Sequence, residues 1–120
     1  MTKKPPLSYR QGDVILIEVD AIPENARELK RDHLDRIVLA YGEVTGHAHA
    51  LRDKGICSFS TLEDDEVEFL LVGGGGATLR HELDSGVKAE HDDITLPPNS
   101  KWLIGVQVEE KRAELRRVVD

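Results

Sequence analysis

The apolar residues of this chain fall in short, β-branched runs at regular spacing, each cut off by glycine, proline, aspartate or asparagine. That punctuation constrains the fold more than any other feature, because short alternating runs between Gly, Pro and Asx turns build β-sandwiches and small barrels. The runs cover residues 14–19, 36–41, 66–72, 78–83 and the stretch from Lys101 onward. The breaks are Gly12-Asp13, Gly42 and Gly46, the acidic residues 63–66, the glycines 73–76, Asp84-Ser85-Gly86 and Pro97-Pro98-Asn99-Ser100. Residues 59–62 add a short strand, and 87–96 a further run. Only residues 22–35 read as polar and weakly helical, a loop with one or two helical turns, Pro23 standing at a first helical position. The expectation is a single all-β domain over residues 1–120, a small barrel or sandwich. Alternation places Ile15, Ile17, Val19, Ile37, Leu39, Phe69, Leu71, Trp102, Ile104 and Val106 in its core, with Val108 on the same face as Trp102.

At 120 residues the chain can bury a core without staples, so a metal would serve function rather than folding. The single cysteine, Cys57, excludes an internal disulfide framework and a cysteine-rich zinc module. A net charge of −7, from 23 acidic against 16 basic side chains, argues against nucleic acid as a partner. Lys111, Arg112, Arg116 and Arg117 do gather near the end, but Glu109, Glu110, Glu114 and Asp120 interleave with them. The start of the chain lacks the apolar stretch of a secretory signal, and no run is long enough to span a membrane, so a cytoplasmic address is expected.

The histidines carry the sharpest chemical signal. His47 and His49 are two apart, so on a strand both imidazoles project from one face, close enough to share an ion. Further ligands must come from other strands: His81, which Leu79 and Leu83 flank on its own face, His91, or a carboxylate such as Asp53, Glu82 or Glu90. Strict alternation turns His91 away from the interior, so its participation requires a bulge or an early strand start. Neutral imidazoles suit a divalent transition metal: zinc, iron, nickel, copper or manganese. An H-x-H pair alone also occurs in many structural settings, and His33 lies in the polar segment and is set aside. Residues 73–76 lack the lysine and hydroxyl residue of a phosphate loop, residues 63–66 lack the spacing of a calcium loop, and Cys57 reads as a small buried thiol.

Arg10-Gln11-Gly12-Asp13-Val14, then Gly42-Glu43-Val44-Thr45-Gly46-His47-Ala48-His49, then Ile94-Thr95-Leu96-Pro97-Pro98 and the terminal Arg117-Val118-Val119-Asp120 together resemble a family of small, uncharacterised bacterial and phage proteins. The resemblance covers nearly the whole chain. In that family a histidine-rich strand leads directly into the Ile-x-Leu-Pro segment. Leu79-Arg80-His81-Glu82 and His91-Asp92-Asp93-Ile94 look like its two halves, separated by an insertion over residues 83–90. The resemblance implies that His47, His49, His81 and His91 belong together, and it implies no reaction. A second likeness is to cupins, the metal-binding barrels: His47-Ala48-His49 with Asp53 is similar to their first motif, and His91 with Pro97-Pro98-Asn99 to their second. Trp102 stands where the last cupin histidine would fall, so His81 or His91 would have to substitute for it.

The functional expectation is a metal-binding β-domain in which His47, His49, His81 and His91 hold the ion. Glu82 or Asp53 would act as proton acceptor if it performs metal-assisted hydrolysis. The alternative is a non-catalytic interaction module that pairs as a homodimer or binds another protein through a sheet edge or its loops. The two differ in one observable: a ligand role buries His47 and His49 together with a third histidine in reach, whereas an interaction module leaves them apart or solvated.

Overall fold

The computed structural model describes residues 5–42, 46–89 and 91–107. Their elements, in chain order, are strands β1 (Ser8–Gln11), β2 (Val14–Glu18), β3 (Arg27–Glu28), β4 (Ile37–Tyr41), β5 (His47–Leu51), β6 (Ile56–Ser60), β7 (Phe69–Val72), β8 (Ala77–Leu83), β9 (Ile94–Leu96) and β10 (Ser100–Val106). All pairings are antiparallel. They form a six-stranded sheet ordered β1-β2-β10-β7-β6-β3 and a four-stranded sheet ordered β4-β5-β8-β9. The fold is therefore all-β and sandwich-like; the two sheets do not join into the closed barrel that the sequence left open. No helix among the described residues is long and apolar enough to cross a membrane.

Residues 22–35 hold no helical turn: the chain makes turns and the two-residue strand β3. Burial explains why, since only scattered apolar residues there could hold a helix onto a core. Arg31 instead donates to the carbonyls of Asp35 and Asp53.

One core cluster fills the space between the sheets. Val14, Leu16, Leu70, Val72, Ile56, Trp102 and Ile104 come from the larger sheet, and Ile37, Leu39, Leu51, Ala77, Leu79 and Leu96 from the smaller. Trp102 is fully buried, and its indole N–H donates to Ser100 Oγ at 2.7 Å. Ser100 in turn donates to the Pro97 carbonyl at 2.6 Å, so the one buried polar atom of the ring is satisfied.

Ile37, Leu39, Trp102 and Ile104 lie in the core as alternation predicts. Ile15, Ile17, Val19, Phe69 and Leu71 do not: β2 and β7 turn Val14, Leu16, Leu70 and Val72 inward. Both faces of these strands are apolar, so alternation leaves the choice open, and register decides it. Trp102 pairs with Leu70 on one side and Glu18 on the other, and Ile104 pairs with Leu16, which puts the even-numbered residues on the tryptophan side. Val106 shares that face but stays 42% exposed at the end of β10. Val108 and the basic residues from Lys111 to Arg117 lie outside the described residues.

Candidate metal centre

The smaller sheet builds the histidine cluster. In β5 His47, His49 and Leu51 share a face, and in β8 Leu79, His81 and Leu83 do, by the two-residue period of a strand. The β5–β8 register places His49 directly opposite His81 and Leu51 opposite Leu79. The histidines thus continue the interior face beyond the point where the apolar core stops. His49 and His81 are buried, at 5% and 3% exposure, while His47 and His91 are half-buried.

His91 reaches the cluster through an irregularity. Leu79 pairs with Ile94 in β9, but farther along β8 the partner of Glu82 is Lys88, so the pairing slips by three residues in between. The insertion is a hairpin extension of β8, closed by Leu83 N–H to Val87 O at 2.8 Å and Gly86 N–H to Leu83 O at 2.8 Å. His91 lies in the slipped segment, before β9 begins, and its ring meets those of His49 and His81 there. Its backbone N–H donates to His81 Nδ1 at 3.1 Å.

All four rings lie together. The ring centres of His49 and His81 are 4.4 Å apart and stacked, those of His81 and His91 are 4.9 Å apart, those of His47 and His81 5.6 Å, and those of His49 and His91 6.1 Å. Two imidazoles bound tetrahedrally to one ion at roughly 2.0–2.1 Å have ring centres about 5 Å apart, so the spacing is of the right size. The orientations are not yet those of a ligand set. Among the described residues, no group of three or more histidine, cysteine, aspartate or glutamate side chains is arranged to hold a metal ion. The cause is visible: His49 and His81 stack at an interplanar angle of 12°, and the His91 amide occupies His81 Nδ1.

Burial, followed by the nearby His81 and His91, pushes the His49 pKa down from 6.5 to about 4, so this imidazole is neutral at pH 7 and keeps a lone pair. Its Nδ1 lies 2.8 Å from Gln11 Oε1. Gln11, itself 2% exposed, donates from Nε2 to the carbonyls of Leu79 and Asp92 at 3.0 and 2.8 Å.

Two glycines complete the surroundings. Gly12, in the turn between β1 and β2, has φ +57°, and a Cβ there would meet His91 Nε2 at 2.8 Å and His49 Cε1 at 3.2 Å. Gly42, after β4, would place a Cβ 2.9 Å from the His47 Cβ and 3.4 Å from His81 Nε2. Both positions need the smallest residue because an imidazole packs against the backbone. Gln11, Gly12 and Gly42 all fall in the quoted motifs, but spacing alone gave them no role. The available signal was a polar side chain at the last position of a strand, before a two-residue turn.

The two carboxylates expected as proton acceptors have other partners. Glu82 is adjacent to His81 in β8, so its side chain leaves the opposite face of the sheet. There, fully buried, it accepts from Arg52 Nε at 2.9 and 3.0 Å and lies 3.6 Å from Arg36 Nη1. Asp53 accepts the Thr78 N–H at 3.0 Å. It stands four residues past His49, about 13 Å along an extended chain. Glu90 lies outside the described residues. Cys57 is half-buried in β6 of the six-stranded sheet, and burial and Glu28 push its thiol pKa up, the reverse of nucleophile activation.

The profile of one protein family, described as Domain of unknown function (DUF8820), matches residues 10–107. No curated protein and no solved structure matches the chain. The chain belongs to the DUF8820 family, and its matched span takes in the Gln11-Gly12 turn, both histidines of β5, and the segments that carry His81 and His91.

Proposed function

We propose that this member of the family holds one divalent transition-metal ion through His47, His49, His81 and His91. One observation carries the reading: four of the five histidines, from two strands and a slipped segment, meet with ring centres 4.4–6.1 Å apart at the end of the interior. A structural histidine is usually single and hydrogen-bonded; four clustered imidazoles, one of them held neutral, repel one another when protonated and are stabilised by a shared cation. Of the pair that the ligand reading expects to be buried together, His49 is buried and His47 half-buried, and His81 lies in reach of both.

The donor set is chemically consistent. Imidazole nitrogens suit zinc, copper, nickel, iron and manganese, and fit poorly with calcium or magnesium. Loading requires the His81 ring to leave its stacked orientation and its Nδ1 to release the His91 amide. A bound ion would supply Lewis acidity, with hydrolysis as the reaction class that follows from it. Glu82 and Asp53 have no proton-transfer role in this reading, since Glu82 pairs with Arg36 and Arg52 on the far face and Asp53 holds the start of β8.

A second reading draws on a separate surface. Ile17 and Leu103, 39% and 36% exposed, are cross-strand partners on the outer face of the six-stranded sheet, with Phe69 beside Leu103. That face fits an accessory module, covered by a second copy or another protein.

Elemental analysis of untagged protein, purified without chelators, tests the metal reading beside a His47→Ala/His49→Ala double variant. The expected result is close to one ion per chain in the parent and none in the folded variant. A parent that retains no zinc, iron, nickel, copper or manganese after each is supplied overturns the reading and leaves the interaction module.

A further inference from the structure

We infer that Gln11 is a positioning residue for this centre: its amide holds His49 with the proton on Nδ1, so that Nε2 is the atom that presents a lone pair. The inference rests on the metal reading for its purpose, but its structural content stands on hydrogen-bond chemistry alone.

An amide group has one acceptor end and one donor end, and the protein fixes which is which here. Gln11 Nε2 lies 3.0 Å from the Leu79 carbonyl and 2.8 Å from the Asp92 carbonyl. A backbone carbonyl can only accept, so both contacts require the NH2 group at that end. Oε1 therefore faces His49 Nδ1, at 2.8 Å, and an amide oxygen can only accept. Nδ1 must donate. In a neutral imidazole the second nitrogen then carries no proton. The arrangement is the usual outer partner of a metal-bound histidine, with an amide oxygen where a carboxylate or backbone carbonyl often stands.

The same side chain ties the cluster together. Leu79 precedes His81 by two residues on the same strand face, and Asp92 follows His91 directly. One buried amide thus bonds to His49 itself and to the segments that carry His81 and His91. Gly12, next in sequence, brings its backbone against His91 and His49. The turn after β1 is in this sense the far wall of the centre, contributed by the six-stranded sheet to a cluster built on the other one.

The test is long-range 15N–1H NMR of the histidine rings in metal-free protein at pH 7, alongside zinc titration of the same samples. In the parent, His49 is expected to show a protonated Nδ1 and an unprotonated Nε2. In Gln11→Ala the two tautomers of His49 should exchange, and the zinc dissociation constant should rise about 10- to 100-fold. Gln11→Glu, which keeps an acceptor at Nδ1, should restore the tautomer. A parent whose His49 carries its proton on Nε2 overturns the inference without reference to any variant, as does a folded Gln11→Ala protein with the tautomer unchanged. A tautomer that depends on Gln11 in a protein that takes up no zinc upholds the positioning role and overturns the metal reading instead.

Discussion

The two faces of the β5–β8 pair solve the same problem, polar groups out of water, by opposite means. On the inner face His47, His49 and His81 stand as nitrogen donors, His49 held neutral by burial. On the outer face, one residue away, Glu82 is fully buried between Arg52 and Arg36, and Arg36 is paired again with Asp32 and Asp84, both at 2.8 Å. The outer face sets carboxylates against guanidinium groups; the inner face gathers imidazole nitrogens, which the proposed metal ion would bridge. The strand period keeps the two chemistries apart, since a carboxylate next to a histidine in sequence is the one side chain that cannot join it.

The largest expected effect lies on the outer face. Glu82→Gln leaves two arginines facing a neutral amide, and breaking a buried pair of this kind costs about 3–5 kcal/mol. Urea unfolding followed by Trp102 emission should register that loss, while the folded fraction keeps its metal. A variant of parental stability with altered metal content would erase the division between the faces.

Acid should act on the inner face. In metal-free protein His49 titrates near 4, whereas the unfolded chain takes up the proton near 6.5. Between those values the unfolded state binds more protons, so stability is full well above pH 6.5 and falls by about 3 kcal/mol as the pH drops to 4. A metal-free unfolding series that is flat across this window contradicts the neutral, buried assignment. A bound metal should move the loss to lower pH.

Gly12→Ala strains a left-handed backbone and drives a methyl group into His91 Nε2, 2.8 Å away. A loss of about 1–2 kcal/mol is expected, together with weaker zinc binding by isothermal titration. Unchanged zinc affinity would detach the β1–β2 turn from the centre. The smallest effect belongs to Ile17, whose outward side chain makes Ile17→Thr nearly neutral, within about 0.5 kcal/mol, where Leu16→Ala should cost about 2–5 kcal/mol. Equal losses at the two positions would reverse the face assignment of β2.

Much of this was legible in residue order. His47 and His49 declared a shared face by spacing alone, and Leu79 and Leu83 placed His81 on the interior side. The inward face of β2 was not legible, because Val14, Ile15, Leu16 and Ile17 are all apolar and only the pairing with β10 chooses between them. His91 depended on a three-residue slip that alternation cannot contain. Glu82 attracted a catalytic role by its place beside His81, and a single step along a strand reverses direction. Gln11 showed only as a polar side chain ahead of a turn, and its role stayed hidden because its partners lie 38, 68 and 81 residues away.

X-ray absorption at the metal edge of zinc-loaded protein tests the central claim most directly, since it reads the atoms around the ion. The account predicts a first shell of nitrogen, with or without one solvent oxygen, at about 2.0 Å and strong outer-shell scattering from several imidazoles. A shell dominated by carboxylate oxygens, or one containing the Cys57 sulfur, would contradict it.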